Sequence, residues 1–195
     1  MSKTQFLLLA TSFEGGLIVV AYLLGWWLEI DPLAAFSLRA DALALGLLGT
    51  LLLLIFFGIF YRLPMPELQK IKRLLIDTLG ALLSSCRWYE LAYVAILAGI
   101  GEEILFRGVL QPWMEEMWGR FPALLVSNLL FGLAHSVTPL YTVLAALTGL
   151  YLGWILDAGG ERNLLVPIVV HAAYDLAAFF ILVAAYRGER CLTQS

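Results

Sequence analysis

The stretch Gly99-Ile100-Gly101-Glu102-Glu103-Ile104-Leu105-Phe106-Arg107-Gly108 sets three charged side chains inside an otherwise apolar segment. Ionisable groups at membrane depth are costly, and they are kept where they are buried in a bundle, paired and functional. On a helix, residues four apart share a face, so Glu103 reaches Arg107, and acid before base is the better order for that pair. Glu102 is turned about 100° away from Glu103. It shares its face with Gly99 and Phe106. One carboxylate is therefore neutralised locally, and the other is left for a different task.

The rest of the chain supports a membrane setting. Of 195 residues, 62% are hydrophobic and 14% are charged, and the mean hydropathy is +0.88. A soluble domain of this length cannot hide that much apolar surface. The expected fold is all-α, a polytopic transmembrane helix bundle read as a single membrane domain over 1–195, in contact with the lipid bilayer. Twelve Lys and Arg against 15 Asp and Glu leave a net charge of −3, so no nucleic-acid partner is expected. Cys86 and Cys191 have neither metal nor redox spacing and read as unpaired thiols. Apolar character continues from the N-terminal residues to Trp27 with no small-residue cleavage site, which predicts a retained first helix.

Outward from the charged motif, the pattern predicts about six spans: 5–28, 41–61, 88–110, 121–135, 140–157 and 164–186. Residues 67–85 alternate a basic face with an apolar stripe, which predicts an amphipathic helix lying in the membrane surface. Residues 111–120 are polar and Trp-rich and read as an interfacial connection. Gly149 and Gly153, four apart, permit close helix packing. With six spans, Lys3, Arg62, Lys70, Lys72, Arg73, Arg87, Arg187 and Arg190 fall on one side. Arg39, Arg107, Arg120 and Arg162 remain for the other side or the interior. The positive-inside rule then places both termini in the cytoplasm.

Both histidines fall within or at the end of apolar helices. Phe131 and His135 share one face, and His171 and Asp175 share another. Together with Glu102, Glu103 and Arg107 they predict a polar site inside the bundle. Counting helical rise puts Glu102 and His171 each about 10 Å below the same boundary. His135 comes out nearer the other side, so it joins them only if its segment is tilted, displaced or re-entrant. A carboxylate and an imidazole within reach of one water can take its proton. A second imidazole can donate to the oxyanion of a tetrahedral intermediate. The chemistry this suggests is amide hydrolysis. The same groups (Glu102, His135 and His171, with Asp175) could instead hold Zn²⁺. Spacing does not decide between a metal-free and a zinc-dependent reaction.

Glu-Glu-x-x-x-Arg (Glu102, Glu103, Arg107), Phe-x-x-x-His (Phe131, His135) and His-x-x-x-Asp/Asn (His171, Asp175), in this order, resemble the CAAX protease and bacteriocin-processing family. Its eukaryotic members are the type II CAAX prenyl endopeptidases. The resemblance covers about 88–186 and includes Asn163-Leu-Leu-Val-Pro-Ile before His171. It implies an intramembrane glutamate-type endopeptidase acting on a membrane-associated protein or peptide. In that reading Glu102 and His135 activate the water, His171 and the residue at 175 form the oxyanion hole, and Glu103 and Arg107 organise the site. No cofactor is expected, although zinc is an alternative. The size and span number look prokaryotic or organellar. Position 175 departs from the pattern's natural donor: an ionised Asp only accepts hydrogen bonds, whereas Asn donates. Asp175 must be protonated or must orient His171 instead. The alternative function is a non-catalytic family member serving bacteriocin immunity or assembly. Glu14 lies outside the motifs. It is expected to cap a tilted first helix near the interface or to pair with Arg107 or His171.

Overall fold

The computed structural model describes residues 1–192, and every regular element among them is helical. The helices are α1 (Lys3–Leu28), α2 (Ala40–Arg62), α3 (Pro66–Leu75), α4 (Ala81–Ser85), α5 (Trp88–Leu105), α6 (Gln111–Trp118), α7 (Arg120–Ala134), α8 (Pro139–Ile155) and α9 (Leu165–Leu192). Single π-helical turns at Ile76–Gly80 and Phe106–Leu110 join α3 to α4 and α5 to α6. α1 opens on a capping box: the Ser2 hydroxyl accepts from the Gln5 N–H at 3.2 Å, and Gln5 Oε1 accepts from the Ser2 N–H at 2.8 Å.

Three helices are long and apolar enough to cross a membrane by length and composition: Lys3–Leu28, Ala40–Arg62 and Leu165–Cys191. α7 and α8 are apolar but shorter. Leu8, Phe13, Trp26, Leu48 and Phe56 are exposed on the outside of the bundle, where lipid takes the place of a protein partner.

α5 and α9 form the centre. α9 packs on α5 and α2, α1 covers α5, and α7 pairs with α8. Gly99 lets α5 approach α9 closely, since a Cβ there would lie 3.0 Å from the Ala172 nitrogen. At Gly108 a Cβ would overlap the carbonyl oxygen of Pro32. Backbone cannot move aside as a side-chain tip can. Gly108→Ala is therefore expected to destabilise the protein by about 1–3 kcal/mol, seen as a lower melting temperature in detergent. Gly58→Ala is the control, because nothing lies within 4 Å of a Cβ at that position.

The expected interfacial connection at 111–120 is corrected. The chain stays helical to Trp118, turns at Gly119 (φ 81°) and returns as α7. Pro112 cannot donate a backbone hydrogen bond. The π turn just before it absorbs the extra residue without ending the helix. The polar residues that suggested an interfacial connection have partners. Arg162 donates to Glu115 at 2.8 Å and to Asp157 at 2.9 Å, and Arg120 donates to Asp157 at 2.7 Å. This network clips the α6–α7 turn to the segment between α8 and α9.

The amphipathic helix expected at 67–85 is present as α3 and α4 with the π turn between them. Ile71, Ile76 and Leu83 face inward, and Lys70, Arg73 and Asp77 face outward. The last helix runs beyond the expected end at 186, to Leu192.

Candidate active site

The motif's first prediction concerns Glu103 and Arg107. Arg107 Nη1 donates to Glu103 Oε1 at 2.9 Å, with both side chains fully buried. Its Nη2 donates to Asn128 Oδ1 at 2.6 Å and to the Gly149 carbonyl at 2.7 Å. Glu103 does more than meet Arg107. His171 Nδ1 lies 2.7 Å from the same Oε1, so Glu103 also fixes the ring of His171. An acceptor on Nδ1 leaves Nε2 pointing into the site.

Glu102 is turned to a neighbouring face, as the rotation of about 100° requires. Its Oε2 lies 3.4 Å from His135 Nε2 and 3.9 Å from His171 Nε2. That oxygen is buried with no hydrogen-bond partner. Asp175 Oδ2 lies 3.6 Å from His171 Nε2. Thus the structure brings together all six residues singled out by the motifs: Glu102, Glu103, Arg107, His135, His171 and Asp175.

The depth mismatch for His135 is resolved by the length of α6. The helix that carries Glu102 ends at Trp118, not at residue 110, so Glu102 lies 16 residues before the turn, about 24 Å of helix. His135 lies 15 residues after Arg120, about 22 Å. The two arms of the hairpin therefore carry both side chains to one level. α7 stops there, and His135 is its C-cap residue, with φ −99° and ψ 24°. The His135 Nδ1 lies 2.9 Å from the Phe131 carbonyl, and the ring stacks on Phe131 at 4.5 Å between centroids. Phe131 is the shared packing surface. The Arg107 guanidinium sits 4.7 Å from its ring centre, and the His171 ring meets it edge-on at 6.0 Å.

A cavity of about 320 Å³ leads to this cluster between α2, α3, α8 and α9. His135, His171, Asp175, Tyr141 and Tyr174 line it, as do Tyr61, Gln69 and Lys72, amid mostly apolar walls. Lys72 Nζ lies 4.2 Å from the centre of the Tyr61 ring.

Gly149 and Gly153 do more than bring helices close. A Cβ at Gly149 would meet Asn128 Oδ1 at 2.8 Å, and one at Gly153 would meet Gln111 Oε1 at 2.7 Å. The glycines of α8 leave room for the polar groups under the site. Asn128 and Gln111 were missed in the sequence reading. A signal existed for Gln111, because Glu103, Arg107, Gln111 and Glu115 recur every four residues along one rod. Asn128 gave none.

Glu14 does not cap a helix and forms no ion pair with Arg107 or His171. It sits in the middle of α1 against Gly101, with Oε2 buried and without a hydrogen-bond partner. On metal binding, no group of three or more His, Cys, Asp and Glu among the described residues is arranged to hold an ion.

The model of the type II CAAX prenyl endopeptidase Rce1-like family matches residues 84–177. Through this region, just under half of its length, the chain is similar to that family. The match begins before α5 and ends just after Asp175, so it encloses all three motifs and leaves α1 and α2 outside. The matched region is CAAX protease-like, and the family it resembles is one of proteases. No curated protein and no solved structure matches the chain.

Proposed function

We propose that the protein is an intramembrane endopeptidase that hydrolyses a peptide bond of a membrane-associated protein or peptide with water activated by Glu102 and His135. The observation that carries this reading is the pairing of Glu102 Oε2 with His135 Nε2 at 3.4 Å, at the end of a cavity. His135 Nδ1 faces a backbone carbonyl at 2.9 Å and donates to it, which leaves Nε2 of the neutral ring as an acceptor. A water seated beside the pair can donate to Glu102 or to His135. Its lone pair is then free to attack.

In the reaction, Glu102 takes a proton from the water as the oxygen adds to the substrate carbonyl carbon. His171 faces the developing oxyanion from the other side, held by Glu103. When the C–N bond breaks, the proton on Glu102 passes to the leaving nitrogen, and the carboxylate is restored. Glu103 and Arg107 position His171 and do not exchange protons with substrate. The basic residues on α3 and at both chain ends support a cytoplasmic location for the termini in a six-span arrangement.

The test is cleavage of a membrane-tethered peptide library by purified protein in detergent, with wild type and Glu102→Ala, each with and without a strong chelator. The expected result is cleavage by wild type that resists the chelator and is absent from Glu102→Ala. Loss with chelator and recovery with zinc would move the mechanism to a metal. Cleavage retained by Glu102→Ala would overturn the role of Glu102. No cleavage by wild type would turn the reading toward a binding or immunity role.

A further inference from the structure

The hydrolysis proposed above needs hydrogen-bond donors for the oxyanion, and this chain is short of them at the expected place. His171 supplies one as imidazolium, with its Nδ1–H on Glu103 and its Nε2–H toward the site. Asp175 stands where an Asn would donate, and an ionised carboxylate only accepts. Asp175 Oδ2 also lies beside the His171 ring, 3.6 Å from Nε2. A donor is therefore missing from the set that the motifs define.

Two tyrosines, Tyr141 and Tyr174, line the cavity together with His135, His171 and Asp175. A phenol donates readily and keeps its proton in an apolar wall. The two are not equivalent. Tyr141 lies within electrostatic range of both Asp175 and Glu102. Tyr174 is within electrostatic range of Asp175 and Tyr141, and its ring meets Phe57 edge-on with centroids 5.9 Å apart. Only Tyr141 combines a place on the cavity wall with proximity to the water-activating carboxylate. Thr138 fixes its backbone, since the threonine side chain caps α8 by accepting from the Tyr141 N–H at 3.2 Å. Its hydroxyl makes no hydrogen bond to any described protein group, unlike that of Tyr151 on the same helix, which donates to the Gly49 carbonyl at 2.9 Å.

We infer that Tyr141 is a catalytic residue whose hydroxyl donates to the oxyanion of the tetrahedral intermediate, opposite His171, in place of the amide that Asp175 lacks. This rests on the peptidase reading. Tyr141 forms no bond and transfers no proton. Its hydrogen bond strengthens as the carbonyl oxygen gains charge, and so it acts on the transition state more than on bound substrate.

The test is Tyr141→Phe, which keeps the ring and removes one oxygen, assayed on a substrate found with the library. Loss of one oxyanion donor is expected to lower kcat roughly 100- to 1,000-fold with KM unchanged. Tyr151→Phe, which loses a structural hydrogen bond away from the cavity, is expected to keep wild-type kcat. Asp175→Asn added to Tyr141→Phe is expected to restore part of the rate by returning an amide donor. A phosphinate replacing the scissile amide places a charged oxygen at the oxyanion position. Its affinity is expected to fall with kcat in Tyr141→Phe, while uncleaved substrate binds as before to Glu102→Gln with or without Tyr141→Phe. Wild-type kcat in Tyr141→Phe would overturn the inference, as would a loss of kcat with unchanged phosphinate affinity. If wild type cleaves nothing, the peptidase reading itself falls and takes the inference with it. The two failures are therefore distinct.

Discussion

Arg107→Ala is expected to destabilise the protein by about 3–5 kcal/mol, the range for removing one member of a buried ion pair. Arg107 makes three hydrogen bonds, to Glu103, Asn128 and the Gly149 carbonyl, and its side chain is fully buried. Hydrogen bonds between membrane helices average only about 0.6 kcal/mol each. Three of them would account for roughly 2 kcal/mol, which is less than the predicted effect. The remainder comes from Glu103, whose buried charge would lose its guanidinium. Arg107→Lys is expected to recover only part of the loss, because an ammonium is a point charge and cannot fork between Glu103 on one side and Asn128 with Gly149 on the other. Glu103→Gln combined with Arg107→Met should be milder than Arg107→Ala alone, since it removes both charges. Thermal melts in detergent check the series. Equal melting temperatures for Arg107→Ala and wild type would show that water reaches the pair.

The contrast between this pair and Glu102 shows what a sequence can reveal. Four-residue spacing made Glu103–Arg107, Phe131–His135 and His171–Asp175 legible, because each pair is set by helix geometry inside one element. Meetings between elements were not. That His171 binds Glu103, across 68 positions of sequence, depends on how α9 lies against α5. Asn128 looked like an unremarkable polar residue in an apolar helix until Arg107 and Gly149 were found beside it. The fold class followed from composition, but the extent of the Glu102 helix did not. Pro112 and the polar run after it imitate a helix end, and the π turn that lets the helix pass leaves no mark in hydrophobic periodicity. The misplaced end also put His135 at the wrong depth. Glu14 was misread for the opposite reason: Gly101 across from it lets a carboxylate enter the bundle without a cation to announce it.

Glu102→Gln is expected to lower kcat by about 100- to 10,000-fold, the usual range for losing a general base, while leaving the melting temperature close to that of wild type. Arg107 donates to Glu103 and not to Glu102, and Glu102 Oε2 is buried without any hydrogen-bond partner. An amide of the same shape therefore leaves the Glu103–Arg107 pair intact. It cannot take a proton. His135→Ala is expected to produce a loss of similar size, because Nε2 at 3.4 Å from Glu102 would hold the same water. The informative variant is the double one. If the two groups act on a single water, removing the second after the first costs little more, and the losses are far from additive. If they act on separate steps, the losses multiply. Single-turnover rates for wild type, both single variants and the double variant separate these cases. A multiplicative loss would assign His135 to the leaving group or the oxyanion. A shared loss would place the nucleophile between α5 and the C-terminal end of α7, where the Trp118–Arg120 turn sets two unlike helices to the same depth.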